Sequence, residues 1–227
     1  SNFSFLRSGS HPEELVAAAA ALGLAGLGLS DRNSFAGVVR GHVARRELGA
    51  EAPDFRYHVG TRLCFADGAP DIVAYPRDRA AYGRLCQMLS RGNLRVEAEK
   101  GSCHLLFADL AEIHEGQQFI LMVDEADWPG SEKALAQLVA LAPGRVWVAG
   151  TVRFSGQDRA RLNRLADLAR RHGARLLASN DVAYHEPARK IVYDVVTCIR
   201  EHFTLAEAGR RLEPADRKST RLNSSHR

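Results

Sequence analysis

The chain has 227 residues, 45% of them hydrophobic, which suits one α/β domain with a sizeable core. No apolar run reaches 18 residues and no basic-then-apolar leader opens the chain, so a membrane-spanning helix is excluded and nothing marks the protein for secretion. The net charge of +4 rests mostly on Asp216 to Arg227; without that stretch 27 basic residues face 26 acidic ones, which removes any argument from overall charge for nucleic-acid binding.

In chain order, Ser10-His11-Pro12-Glu13-Glu14 starts a helix, with Ser10 or His11 near the cap, Pro12 in the first turn and two acids facing the helix dipole. It runs to Leu22 and stops at Gly23. Ala25 to Leu29 is a short buried strand leading into Ser30-Asp31-Arg32-Asn33, and Ser34 is placed to cap a helix from Phe35 to Leu48. A strand from Arg56 to Phe65, a turn at Asp67-Gly68 and a return strand from Asp71 to Tyr75 form a hairpin. Helices then follow over Arg79–Leu89 and Ala108–His114, separated by a polar loop from Gly92 to Cys103. Phe119 to Val123 is a strand, Ser131 to Leu141 a helix, Arg145 to Ala149 a strand and Gln157 to His172 a long helix. After Gly173 a short apolar strand beginning at Leu176 runs out into Ser179-Asn180-Asp181. Pro187 to His202 is the last long helix, with a further helical piece over Leu205–Leu212.

Strands alternating with helices of 10 to 16 residues imply parallel βαβ units, with about six strands in one domain. Periodicity leaves a closed barrel and an open doubly wound sheet as alternatives. Neither G-x-G-x-x-G nor G-x-x-x-x-G-K-[ST] occurs, so a nucleotide-binding sheet loses support. Four widely spaced cysteines (Cys64, Cys86, Cys103, Cys198) form no C-x-x-C pair and suit reduced core thiols in the cytoplasm. The string Asp216-Arg-Lys-Ser-Thr-Arg-Leu-Asn-Ser-Ser-His226 matches a translated sequencing adapter, so residues 216–227 are expected to be a non-native tail and 1–215 the domain.

In α/β proteins ligands and metals gather at the carboxyl ends of parallel strands. Asp31 and Asp181 each follow such a strand, where two carboxylates can converge on a divalent cation; the alternative is that each caps the following helix. His58, His104 and His185 are further ligand candidates against ordinary core or surface histidines. Cys198, on the apolar helix face Val195-Val-Thr-Cys-Ile199, reads as packing. No nucleophile elbow is present. The arginines of 159–171 read as a solvated face, with phosphate contact as the alternative.

Four strings carry a resemblance: Ser1-Asn-Phe-Ser-Phe-Leu-Arg-Ser-Gly-Ser-His-Pro-Glu-Glu-Leu15, Ser30-Asp-Arg-Asn-Ser-Phe-Ala-Gly-Val-Val-Arg40, Ala74-Tyr-Pro-Arg-Asp-Arg-Ala-Ala-Tyr-Gly-Arg-Leu-Cys86 and Ser179-Asn-Asp-Val-Ala-Tyr-His-Glu-Pro-Ala-Arg189. Together with Asp194-Val-Val-Thr-Cys-Ile-Arg-Glu201 they resemble the amino-terminal PHP (polymerase and histidinol phosphatase) domain of bacterial error-prone DNA polymerases, C-family relatives of the polymerase III alpha subunit. The resemblance implies a distorted (β/α)₇ barrel of parallel strands and, in active members, a metal-dependent phosphoesterase site. Asp31 and Asp181 match two metal-binding aspartates of that pattern. Three positions depart from it: Arg32 where a histidine often follows the aspartate, Arg62 where active members carry a glutamate, and Ala183 in place of the histidine of Asp-x-His. The opening His-x-His would precede Ser1.

A guanidinium is a permanent positive charge where a cation needs a carboxylate. The expectation is therefore a structural domain with weak or no metal binding, belonging to a damage-tolerance polymerase. Its catalytic carboxylates, its magnesium or manganese, and its DNA and deoxynucleotide contacts would lie outside these residues. Other replication or damage-tolerance proteins are expected partners, and a cytoplasmic location follows. The competing reading is a standalone metal-dependent PHP phosphoesterase, and a third is a non-catalytic docking scaffold.

Overall fold

The computed structural model describes residues 1–98, 101–153 and 156–212; the tail expected at 216–227 lies outside them. Helix α1 (Pro12–Ala21) starts as Pro12 and the acids predict, with the Glu14 carboxylate accepting the His11 N–H at 2.8 Å. It ends at Gly23, whose φ of +69° is the left-handed conformation that closes many helices. Strand β1 (Gly26–Arg32) is longer than expected, so Asp31 lies inside it rather than beyond its end. Helix α2 (Val38–Glu47) starts later than Ser34 suggests; the Ser34 hydroxyl instead accepts from the Ala36 N–H in the turn before it.

The hairpin expected around Asp67-Gly68 is present as β2 (Arg56–Leu63) and β3 (Ile72–Pro76). Asp78 accepts the Ala81 N–H at 2.8 Å and caps α3 (Arg79–Leu94), which is followed by the short α4 (Leu110–Ile113). Strand β4 (Gln117–Leu121) leads to α5 (Trp128–Leu141), capped by Asp127. Strand β5 (Val146–Gly150), α6 (Asp158–Arg171), β6 (Arg175–Ala178), α7 (Lys190–Glu201) and α8 (Leu205–Ala208) complete the order.

The six strands form one sheet in the order of the sequence, β1 to β6. The pairs β1–β2, β4–β5 and β5–β6 are parallel, while β3 is antiparallel to both its neighbours. This corrects the barrel of parallel strands that the resemblance implies and agrees with the hairpin read from the sequence: eight residues join β2 to β3, too few for a parallel crossover. Among the described residues there are six strands, not seven, and β1 and β6 each have one neighbour. The sheet curls into a half-barrel, so that Leu27 on β1, His58 on β2, Val73 on β3, Ile120 on β4 and Leu177 on β6 line one cavity of about 570 Å³.

Outside the curl, Leu63, Ile72, Phe119, Leu121, Val146 and Val148 pack against the apolar faces of α3, α5 and α6 (Leu85, Met88, Leu135, Leu138, Leu165, Leu168). A separate small core under α1 and α2 joins Val16, Ala19, Ala44 and Phe55. Within the curl the half-buried ring of Tyr75 lies over Gly28 and Gly60. A Cβ at Gly28 would meet its hydroxyl at 2.3 Å, and one at Gly60 would meet the ring at 2.5 Å. These contacts hold β1 and β2 against β3 and aim the ends of β1 and β2 at the same mouth.

Candidate functional site at the barrel mouth

Strands β1 and β2 pair in register with Asp31 opposite Thr61 and Arg32 opposite Arg62, which brings both arginines to the mouth together. The Arg62 guanidinium donates from Nε to Asp71 Oδ2 at 2.8 Å and from Nη1 to Asp181 Oδ1 at 3.0 Å. Arg32 Nη1 donates to the same Asp71 oxygen at 2.9 Å. Two guanidinium and two carboxylate groups thus close a neutral quartet joining the ends of β1 and β2, the residue before β3 and the loop after β6. Burial alone would lower the Arg62 pKa, but the Asp181 and Asp71 carboxylates outweigh it and hold it above its ordinary value. Asp181 itself has a φ of +45°, a left-handed conformation that aspartate tolerates better than most residues.

Asp31 is placed differently. Only 2% exposed, it accepts from the Ser1 hydroxyl at 2.9 Å and from the Ser4 hydroxyl at 2.8 Å. On its far side Gly37 comes so close that an added Cβ would stand 2.5 Å from Oδ2. Neither aspartate caps a helix, which removes the alternative that had stood beside the metal reading.

The other candidates separate. Ala183 is buried, and its carbonyl accepts from the Gly9 N–H at 2.9 Å and the Ser8 hydroxyl at 2.6 Å, so that position anchors the amino-terminal segment. His185 does the same work: its Nδ1 lies 2.8 Å from the Ser10 hydroxyl, and its own N–H donates to that oxygen. His58 lies on β2 four residues before Arg62, about 13 Å back along the strand from the mouth. His104 donates its backbone N–H to Gly92 O, and its carbonyl accepts from Arg95, away from the mouth. Cys198 is buried on α7, the packing role its sequence setting suggests.

Asp71 was not legible as a site residue, because it reads simply as the first residue of the return strand Asp71 to Tyr75. Only its placement diagonal to Arg62 across the hairpin, with Leu63 opposite Ile72, makes it the acceptor for both arginines. Cys64 was likewise read only as a core thiol, yet it lies beside the quartet. Burial and then the nearby Asp71 carboxylate push its thiol up to about 12, so it stays protonated and unreactive at neutral pH.

The side chains at the mouth do not fit a divalent cation. Such an ion needs free carboxylate oxygens or imidazoles. Here Arg62 takes one oxygen of Asp71 and one of Asp181, Ser1 and Ser4 take those of Asp31, and Ala183 offers no donor. Among the described residues no group of three or more His, Cys, Asp or Glu is arranged to hold a metal. What the quartet can do is tie four chain segments together across a cavity of about 490 Å³ that Arg62, Asp71, Asp124, Arg153 and Asp181 line.

No family model matches the chain. It is 48% identical over 215 residues to the error-prone DNA polymerase of Brucella abortus biovar 1, covering 94% of this chain and 20% of that protein. It is 46% identical over 218 residues to the error-prone DNA polymerase of Bradyrhizobium diazoefficiens (93% and 19%), and 45% over 212 residues to that of Caulobacter vibrioides (93% and 19%). The chain therefore spans about a fifth of the length of the curated relatives it matches. Among solved structures it is similar to one from Bifidobacterium adolescentis described as a metal-dependent phosphoesterase. Identity there is 12%, with 77% of this chain and 83% of that one covered at a TM-score of 0.54. It is also similar to an amidohydrolase from Chromobacterium violaceum, 14% identical with 78% and 84% covered at a TM-score of 0.58. At such identities the likeness shows the fold, the curled α/β barrel type of metal-dependent phosphoesterases and amidohydrolases.

Proposed function

From its homology to a fifth-length segment of error-prone DNA polymerases, we propose that this chain is the PHP domain of such a polymerase, formed by residues 1–215, and that its role there is structural. The whole protein would copy damaged DNA by nucleotidyl transfer, with DNA and deoxynucleotides as substrates and magnesium or manganese as cofactor. The carboxylates for that reaction would lie outside the 227 residues. A cytoplasmic location, with other replication or damage-tolerance proteins as partners, goes with that reading. No helix among the described residues is long and apolar enough to cross a membrane.

One observation carries the structural role: Arg62 bridges Asp71 and Asp181 where a phosphoesterase of this fold would need a cation. Asp31 and Asp181 are then vestigial metal positions, and Arg32, Arg62 and Ala183 are the departures that retired them. The guanidinium supplies the positive charge that holds the acids together, but it has no open coordination position at which water could be activated.

The competing reading, a standalone phosphoesterase, draws support from the 83% and 84% of the two solved chains that this fold covers. An assay separates the two. Protein purified without residues 216–227 and with the natural segment before Ser1 restored should, in manganese, show no 3′ exonuclease activity and no hydrolysis of a phosphate monoester above a boiled control, as about four open donors per metal are wanting. Hydrolysis that manganese restores after chelation and that Asp181→Ala abolishes would replace the structural reading with the enzymatic one.

A further inference from the structure

Helix α7 breaks the rule that the other long helices keep. Helices α3, α5 and α6 bury Leu85, Met88 and Leu89, Leu135 and Leu138, and Leu165 and Leu168 against the sheet. Helix α7 buries only Thr197 and Cys198. Its large aliphatic residues face outward, with Ile191 65%, Val192 38%, Val195 38% and Ile199 55% exposed. At about 100° per residue these four positions fall within a stripe roughly 100° wide, the width of a core-facing helix surface. Leu205 on the adjoining α8, 50% exposed, extends the apolar surface toward the carboxyl end of the described chain. Phe5, 83% exposed, is next to Leu6, whose carbonyl accepts from Arg200 of α7. A soluble chain seldom leaves a contiguous patch of this kind open.

We infer that the α7 stripe is a docking face, and that its occupant is an apolar surface of the same polypeptide, carried by the part of the parent protein that this chain does not contain. The inference rests on the proposed reading of the chain as a segment of a longer polymerase. Two observations select that occupant. The relatives are about five times as long as the matched segment, so four fifths of the polypeptide has to pack somewhere. The stripe runs along the last long helix and onto α8, so whatever follows is tethered to its edge. Tethering gives an intramolecular partner a high effective concentration, and a modest apolar contact is then enough. The charges bordering the stripe are already matched within the chain: Lys190 pairs with Asp194, Arg189 with Glu14 and Arg200 with Glu201. That leaves little unpaired positive charge for a nucleic-acid backbone and favours an apolar partner.

The test compares two polypeptides, the 227-residue chain and the whole natural reading frame that contains it, each with and without the triple substitution Ile191→Glu, Val195→Glu, Ile199→Glu. In the short chain the triple variant should keep its cooperative melt within about 2 °C and lose most of its anilinonaphthalene sulfonate fluorescence, because the substituted side chains touch solvent. In the whole protein the amides of α7 should exchange at least tenfold more slowly than in the short chain, and the triple variant should erase that difference. Equal α7 exchange in the two lengths would overturn the docking inference and leave the polymerase reading intact. A reading frame without a polymerase body would overturn both. Concentration-dependent dimers of the short chain that the triple variant dissolves would also overturn it, by assigning the stripe to a second copy.

Discussion

Asp31 and Asp181 look interchangeable in the sequence, each an acid where a short Gly- or Ala-rich strand runs out, yet the molecule treats them in opposite ways. Asp31 lies inside β1, is 2% exposed and receives the neutral hydroxyls of Ser1 and Ser4. Asp181 lies in a loop, has a side chain 28% exposed, and pairs with the charge of Arg62. The first is enclosed and its satisfaction is part of folding, since a buried carboxylate without donors is strongly unfavourable. The second keeps contact with water, which screens its ion pair and limits what the pair contributes. The two acids thus take separate roles, one internal to the fold and one bridging its segments.

Substitutions should widen that contrast. Asp31→Ala leaves the Ser1 and Ser4 hydroxyls without their acceptor in a dry setting, and should cost about 2–4 kcal/mol in urea unfolding at neutral pH. A loss under 1 kcal/mol would show that water replaces the carboxylate and that its enclosure matters little. The next largest change is Arg62→Glu, which gathers three carboxylates around Arg32 at the mouth. The substituted protein should melt several degrees lower in chelator, from like-charge repulsion. It should recover on adding manganese by about 2.7 kcal/mol at a hundredfold excess over the dissociation constant. The unsubstituted protein should show no manganese-dependent shift. If both proteins respond alike, the guanidinium is not what keeps the cation out.

How much of this could be read from residues alone depended on distance along the chain. The hairpin was legible because Asp67-Gly68 and its flanking strands are local, and that turn already dictates the reversal of β3 that an all-parallel barrel would not allow. Helix ends at Gly23 and Asp78 follow from nearest-neighbour chemistry in the same way. The partners of Asp31 come from 27 and 30 residues away, those of His185 from 175, and Arg62 reaches Asp181 across 119. No periodicity records such contacts. Arg62, Arg32 and Ala183 stood out only through the family pattern, which identified positions but not partners. Asp71 lies outside that pattern, and only the sheet register makes it the acceptor shared by both arginines. The outward face of α7 has a similar cause: its amphipathic pattern predicts a buried stripe, and only the packing reveals that the stripe has no cover within the described residues.

The smallest expected effect tests the exposed half of the contrast most directly. Asp181→Asn keeps a side chain that tolerates a φ of +45° and removes only the charge facing Arg62. Arg62 retains its bond to Asp71 and remains partly hydrated, so the loss should be about 0.5–1 kcal/mol and should shrink further in 1 M salt, where a charge pair is screened and a neutral hydrogen bond is not. Asp181→Gly separates the backbone from the charge. It removes the same pair but relieves the left-handed conformation, an exchange that elsewhere offsets a few tenths to about 1 kcal/mol, so it should be no worse than Asp181→Asn. If Asp181→Asn instead approached the cost of Asp31→Ala and ignored salt, Asp181 would be as enclosed in solution as Asp31, and the division of labour between the two acids would fail.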